Sequence, residues 1–226
     1  MLAGIVAGLL VFVCARWLGE PQVERAIAFE QAMDQASGAP PEIEMVSRRV
    51  QRTVGLLTGA LVYGTAIGGL FGLVFAVASG RVEITTSQRL SAVLAALGFL
   101  SVGLVPALKY PPNPPAVGNP DTIGIRTASY FFLVACSVAA LVFALQMGKR
   151  IAPRWRHANR WVFTGILYVA VVAIVFHFLP EIDEVPPSFP ATLLWKFRVV
   201  ALEIQFVLWA TIGFLFGFLT NRNVPG

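Results

Sequence analysis

The stretch Val54–Ala78, VGLLTGALVYGTAIGGLFGLVFAVA, decides the fold class. It carries no charged residue and has no polar face at any helical or strand period. A helix needs about 20 apolar residues to cross a hydrocarbon layer of roughly 30 Å, and this run supplies them. Outward from it, five more runs read the same way: Met1–Ala15, closed by Arg16, Trp17 and Leu18; Ser91–Leu108; Thr127–Gly148; Trp161–Leu179; and Leu193–Leu219. Composition agrees, since 57% of the 226 residues are hydrophobic and 13% charged, where a soluble domain has about 25% charged. A soluble enzyme, a disordered chain and a disulfide scaffold are excluded. The sequence predicts an all-α integral membrane protein: one transmembrane domain, 1–226, built as a polytopic bundle of about six helices in a lipid bilayer.

The first run, 1–18, lacks the basic start of a signal peptide, and Val13-Cys14-Ala15 is a poor cleavage site, so a retained helix is expected. Cys14 and Cys136 both lie in apolar runs, without the spacing of a zinc site or a disulfide framework. The net charge of +5 does not point to nucleic acid, because no basic run is interleaved with aromatics. Five prolines between Lys109 and Arg126 predict a helix-free loop there. Pro180 and Pro186-Pro187-Ser188-Phe189-Pro190 predict another.

Loop charges give the orientation. Lys149, Arg150, Arg154, Arg156 and Arg160 form an acid-free loop, which the positive-inside rule places in the cytoplasm with both termini. Arg48, Arg49 and Arg52 run against this on the assigned outside, diluted by Glu20, Glu24, Glu30, Asp34, Glu42 and Glu44. Asp121, Glu181, Asp183 and Glu184 also fall in outward loops. An outer mouth lined with carboxylates concentrates cations; acids collected there by default are the alternative.

Three groups of residues carry the candidate chemistry. His177, Glu181, Asp183, Glu184 and Asp121 offer imidazole and carboxylates for a divalent transition metal. Glu203, with Lys196 seven residues before it, is the carboxylate well inside a span, where ionisable groups are costly and usually functional. Gly64, Gly68 and Gly72 recur every four residues, and Gly213 and Gly217 repeat the spacing; such stripes let helix backbones approach closely. Ile67–Gly72 echoes Ile212–Gly217 in five of six positions, read as a shared packing solution. No catalytic signature is present, so an enzyme is not expected.

The stretch Leu104–Ile123, LVPALKYPPNPPAVGNPDTI, with Arg126-Thr127 and Tyr130, resembles the family of probable cobalt transporter subunits called CbtA. So do Gly55-Leu56-Leu57-Thr58-Gly59 through Phe75, Leu179-Pro180 with Asp183–Pro186, and Phe189-Pro190 leading to Leu194–Arg198. The resemblance implies a subunit for cobalt uptake across the cell membrane, linked to cobalamin synthesis. It also implies a five-span fold, where the runs above number six, and a single-span histidine-rich partner, CbtB. Cobalt would be cargo, with no tightly bound cofactor. The motif residues carried over are Lys109, Tyr110, Asn113, Gly118, Asp121, Arg126 and Tyr130. A rigid mouth is expected from the prolines, with Lys109 either repelling a cation or pairing with Asp121 as a clasp. A non-transporting scaffold that docks partner helices through its glycine grooves is the rival from another class.

Overall fold

The computed structural model describes residues 1–38, 46–82, 84, 86–151 and 157–222. Glu42, Glu44, Glu83, Arg154 and Arg156 lie outside the described residues. Six long helices follow in order: α1 (Leu2–Ser37), α2 (Arg48–Ala78), α3 (Ser87–Lys109), α4 (Pro120–Ile151), α5 (Ala158–Phe178) and α6 (Ala191–Asn221), each long and apolar enough to cross a membrane. No strand occurs among the described residues. Each predicted run falls on one of these helices.

The helix ends differ from expectation in two places. α1 does not stop near Leu18 but continues to Ser37, across Pro21. A widened, π-helical turn at Ala15–Gly19 explains how, and two more occur at Gln51–Gly55 in α2 and Phe99–Leu104 in α3. A proline inside a helix lacks an N–H and clashes with the preceding turn. Pro21 and Pro106 each stand at the start of the α segment that follows a π turn, where the regular bonding register is already broken. The second difference is in the proline-rich loop, which is not helix-free to Arg126. Asn119 Oδ1 accepts from the Asp121 N–H at 2.9 Å, starting a 3-10 turn at Pro120–Thr122 that runs into α-helix at Ile123. An Asn cap followed by proline in the first helical position is a favourable start.

The chain divides into two units. The first comprises Met1–Phe99, Pro112–Val117 and Pro187–Gly226, and it is built on glycine. A Cβ on Gly64 would lie 2.6 Å from the Gly4 carbonyl oxygen, and one on Gly68 would lie 2.6 Å from Gly4 Cα. Gly8 meets the Ala60 carbonyl in the same way, at 2.7 Å. The stripes of α1 and α2 therefore press backbone on backbone. α3 and α6 repeat the device: a Cβ on Gly213 would sit 2.5 Å from the Ala95 methyl, and the Ser91 hydroxyl donates to the Gly213 carbonyl at 2.7 Å. Gly72 meets only the ring edge of Phe216. That ring also stands edge-on to Phe71, its counterpart in the sequence echo, with centroids 5.3 Å apart.

Where α1 and α2 extend beyond their apolar cores, charge replaces glycine. Arg48 donates to the buried Glu20 at 2.5 Å, and Arg52 to Glu24 at 2.7 Å. Phe29 on the extension of α1 packs edge-on against Phe189.

The second unit comprises Leu100–Pro111 and Gly118–Pro186. Its core gathers Val105, Ala140, Ala144 and Tyr168, with Leu141, Val172 and Phe176 packed around them. Tyr168 and Ser137 share a buried hydrogen bond of 2.7 Å between α5 and α4. Interhelical bonds of this kind contribute about 1 kcal/mol in membrane proteins. Tyr168→Phe should therefore lower unfolding stability by about that much, read from thermal denaturation in detergent. Combining it with Ser137→Ala should add little, because both changes delete one bond.

Candidate functional site

Four of the residues singled out from sequence, Tyr110, Gly118, Arg126 and Glu184, take part in ties between the proline-rich loops of the second unit. Glu184 is the hub. One carboxylate oxygen accepts from the Asn119 backbone N–H at 2.8 Å and from Arg126 Nη1 at 3.2 Å, and the other accepts from the Thr122 hydroxyl. Arg126 Nη2 also reaches the Asn119 carbonyl at 3.3 Å. The Thr122 bond first, then the Asn119 N–H and the Arg126 charge, hold the Glu184 carboxyl below the usual range. It is ionised at neutral pH, and three donors occupy most of its roughly four acceptor positions.

Gly118 makes this staple possible. Its φ of +128° suits glycine alone, and a Cβ there would collide with the Arg126 guanidinium. A second tie lies alongside: the Tyr110 hydroxyl donates to the Pro180 carbonyl at 2.8 Å. Burial raises the Tyr110 phenol above its ordinary value, offset in part by a hydrogen bond with Ser129, so it stays protonated and able to donate. Of the two alternatives for Lys109, the clasp with Asp121 does not form: no ion pair joins them among the described residues. The loops are held by Glu184 and Tyr110 instead.

The other candidates are placed differently. Asp121 and Glu181 are exposed. Asp183 is exposed too, and its carboxylate accepts from the Val185 N–H at 3.3 Å in a local turn. His177, exposed at the end of α5, stands edge-on to Phe178 with centroids 5.4 Å apart. No three His, Cys, Asp or Glu side chains gather to hold a metal ion among the described residues. Glu203 belongs to the first unit and is exposed on α6. In that same unit Asn113 Oδ1 accepts from Arg198 Nη2 at 2.9 Å. Tyr130, on α4, packs edge-on to Phe131.

The profile of the family described as probable cobalt transporter subunit, CbtA, matches residues 1–221. The chain belongs to the CbtA family. Searches of curated proteins and of solved structures gave no match. Membership makes this a subunit of a cobalt transporter, spanning the membrane several times. The CbtA match includes the whole Glu184 staple and all six long helices.

Sequence reasoning missed Asn119, Thr122 and Ser129 as members of this site. Asn119-Pro120 carried a signal, since asparagine before proline marks a helix start. Thr122 and Ser129 carried none, because their partners are distant in the chain.

Proposed function

We propose that the chain imports divalent cobalt across the cell membrane for cobalamin synthesis, working with a single-span CbtB partner. The observation that carries this reading is the CbtA match over residues 1–221. Both termini are assigned to the cytoplasm. Of the three arginines that run against this orientation, Arg48 and Arg52 pair with Glu20 and Glu24.

In this orientation Asp121, Glu181 and Asp183 face outward at the stapled loops and attract cations. His177 adds a nitrogen ligand suited to cobalt. Contacts spread over exposed groups bind weakly, as a conducting route requires. Glu184 serves as the brace that fixes the loops. In the rival scaffold reading the glycine grooves dock partner helices; of those glycines, Gly64 and Gly68 already pack against α1 of the same chain.

Radiolabelled cobalt uptake by cells carrying the chain and its partner tests the proposal. Asp121→Asn, Glu181→Gln and Asp183→Asn together should raise the cobalt concentration for half-maximal uptake several-fold while leaving the maximal rate near wild type. Uptake equal to that of cells without the chain refutes import. Cysteine-accessibility labelling checks the orientation, and labelling of Ala116 and Ala158 from one side would overturn it.

A further inference from the structure

Six exposed residues of α6, Lys196, Glu203, Phe206, Ala210, Phe214 and Phe218, form a stripe along it. Their spacing of three, four and seven places them on one helical face. Beside this stripe, between α3 and α6 of the first unit, runs a groove of about 520 Å³. Small residues, Ala92, Ala96, Ala210 and Gly213, line it together with aromatic rings, Phe206 and Phe214 among them.

Glu203 stands one turn before Phe206. It lies about 18 Å from the start of α6 at Ala191 and about 27 Å from its end at Asn221. No hydrogen bond or ion pair reaches it among the described residues. Lys196, on the same face, is about 10 Å away along the axis, beyond the reach of a short carboxylate side chain. A bare carboxylate facing hydrocarbon at that depth is strongly disfavoured.

Two occupants fail on charge. A lipid chain would fill the groove but leave Glu203 unpaired. A second copy in the same membrane orientation, related by a two-fold axis, would set Glu203 against Glu203. A different chain satisfies both features. We propose that this face docks a transmembrane helix of another protein, with small residues over the alanine and glycine floor and a Lys, Arg or His side chain level with Glu203. Close approach over small residues and a polar tie across the interface are how membrane helices associate. The inference stands whatever the cargo, so failure of cobalt uptake would leave it untouched.

The test uses the full chain in phosphatidylcholine vesicles with synthetic Leu/Ala peptides of roughly 20 apolar residues. One peptide series carries a single lysine at successive positions, scanning depth, and the control has leucine throughout. Association is read by energy transfer between a dye on the peptide and one at the chain's C-terminus. The best lysine peptide should bind about tenfold tighter than the control. Glu203→Gln should erase that preference while the control still binds, and Ala210→Phe, which fills the floor, should weaken both. Equal affinity of lysine and leucine peptides, or a preference that survives Glu203→Gln, overturns the proposal. So does self-association of the wild-type chain that Ala210→Phe abolishes, since the occupant would then be a second copy.

Discussion

Gly64→Leu should prevent the first unit from folding. A Cβ alone would meet the Gly4 carbonyl at 2.6 Å and Gly8 Cα at 2.8 Å, and both are backbone atoms that no rotamer change can clear. α1 and α2 would have to separate along their whole contact, and the chain would lose the packing that joins them. Overpacking a tight contact costs about 1–3 kcal/mol even where side chains can adjust; backbone against backbone should exceed that range. The expected result is loss of the monodisperse peak in detergent size-exclusion chromatography, with no recovery on cooling. Gly59→Ala is the control. Nothing lies within 4 Å of a Cβ at Gly59, and alanine is the better helix former by about 1 kcal/mol, so that variant should be unchanged or slightly more stable. A well-behaved Gly64→Leu protein would contradict the α1–α2 packing.

The second large effect should come from Gly118→Ala. The added methyl meets the Arg126 guanidinium and must also adopt a φ of +128°. Strain of that kind costs about 1–3 kcal/mol. Displacing Arg126 also takes one partner from Glu184, so the loops should loosen and cobalt uptake should fall with them. Hydrogen exchange across residues 110–122 would show the change, with protection lost in the variant. The same measurement against pH has a defined sign. The folded-state Glu184 carboxyl lies below its ordinary value. Its stabilising contribution is thus complete above the ordinary carboxylate range, about pH 4.3, and is lost as pH falls through the lower folded value. Tyr110 shifts upward, so its contribution is complete below about pH 10 and fades only above that. Protection in the loops should be flat from about pH 5 to 9.

Six spans were legible because a bilayer demands long apolar runs, and a run such as Val54–Ala78 has no other reading. Glycine spacing also spoke clearly: Gly64 and Gly68 are where α2 meets α1. The partner was not legible, since Gly4 and Gly8 are sixty residues away in the chain. Glu184 shows the same limit from the side of the site. In sequence it is one of three carboxylates near His177 and reads as a metal ligand. Its actual neighbours, Asn119, Thr122 and Arg126, come from another loop and turn it into a brace. Periodicity likewise says nothing about which face of an all-apolar helix turns outward, so the exposure of Glu203 emerges only from packing. The continuation of α1 to Ser37 depended on a π turn ahead of Pro21, and no residue pattern announces such a turn.

Those π turns bear on inheritance. Each is the geometry of an α-helix that has accepted one extra residue. A codon lost from the Phe99–Leu104 turn would restore ordinary winding and leave Val105 facing the core it shares with Ala140 and Tyr168, whereas one lost from regular helix rotates everything beyond it by about 100°. A single deletion should therefore be tolerated more readily in the Phe99–Leu104 segment than in the regular winding of Ser87–Gly98. Such turns are the places where helix length can change without turning a buried face outward.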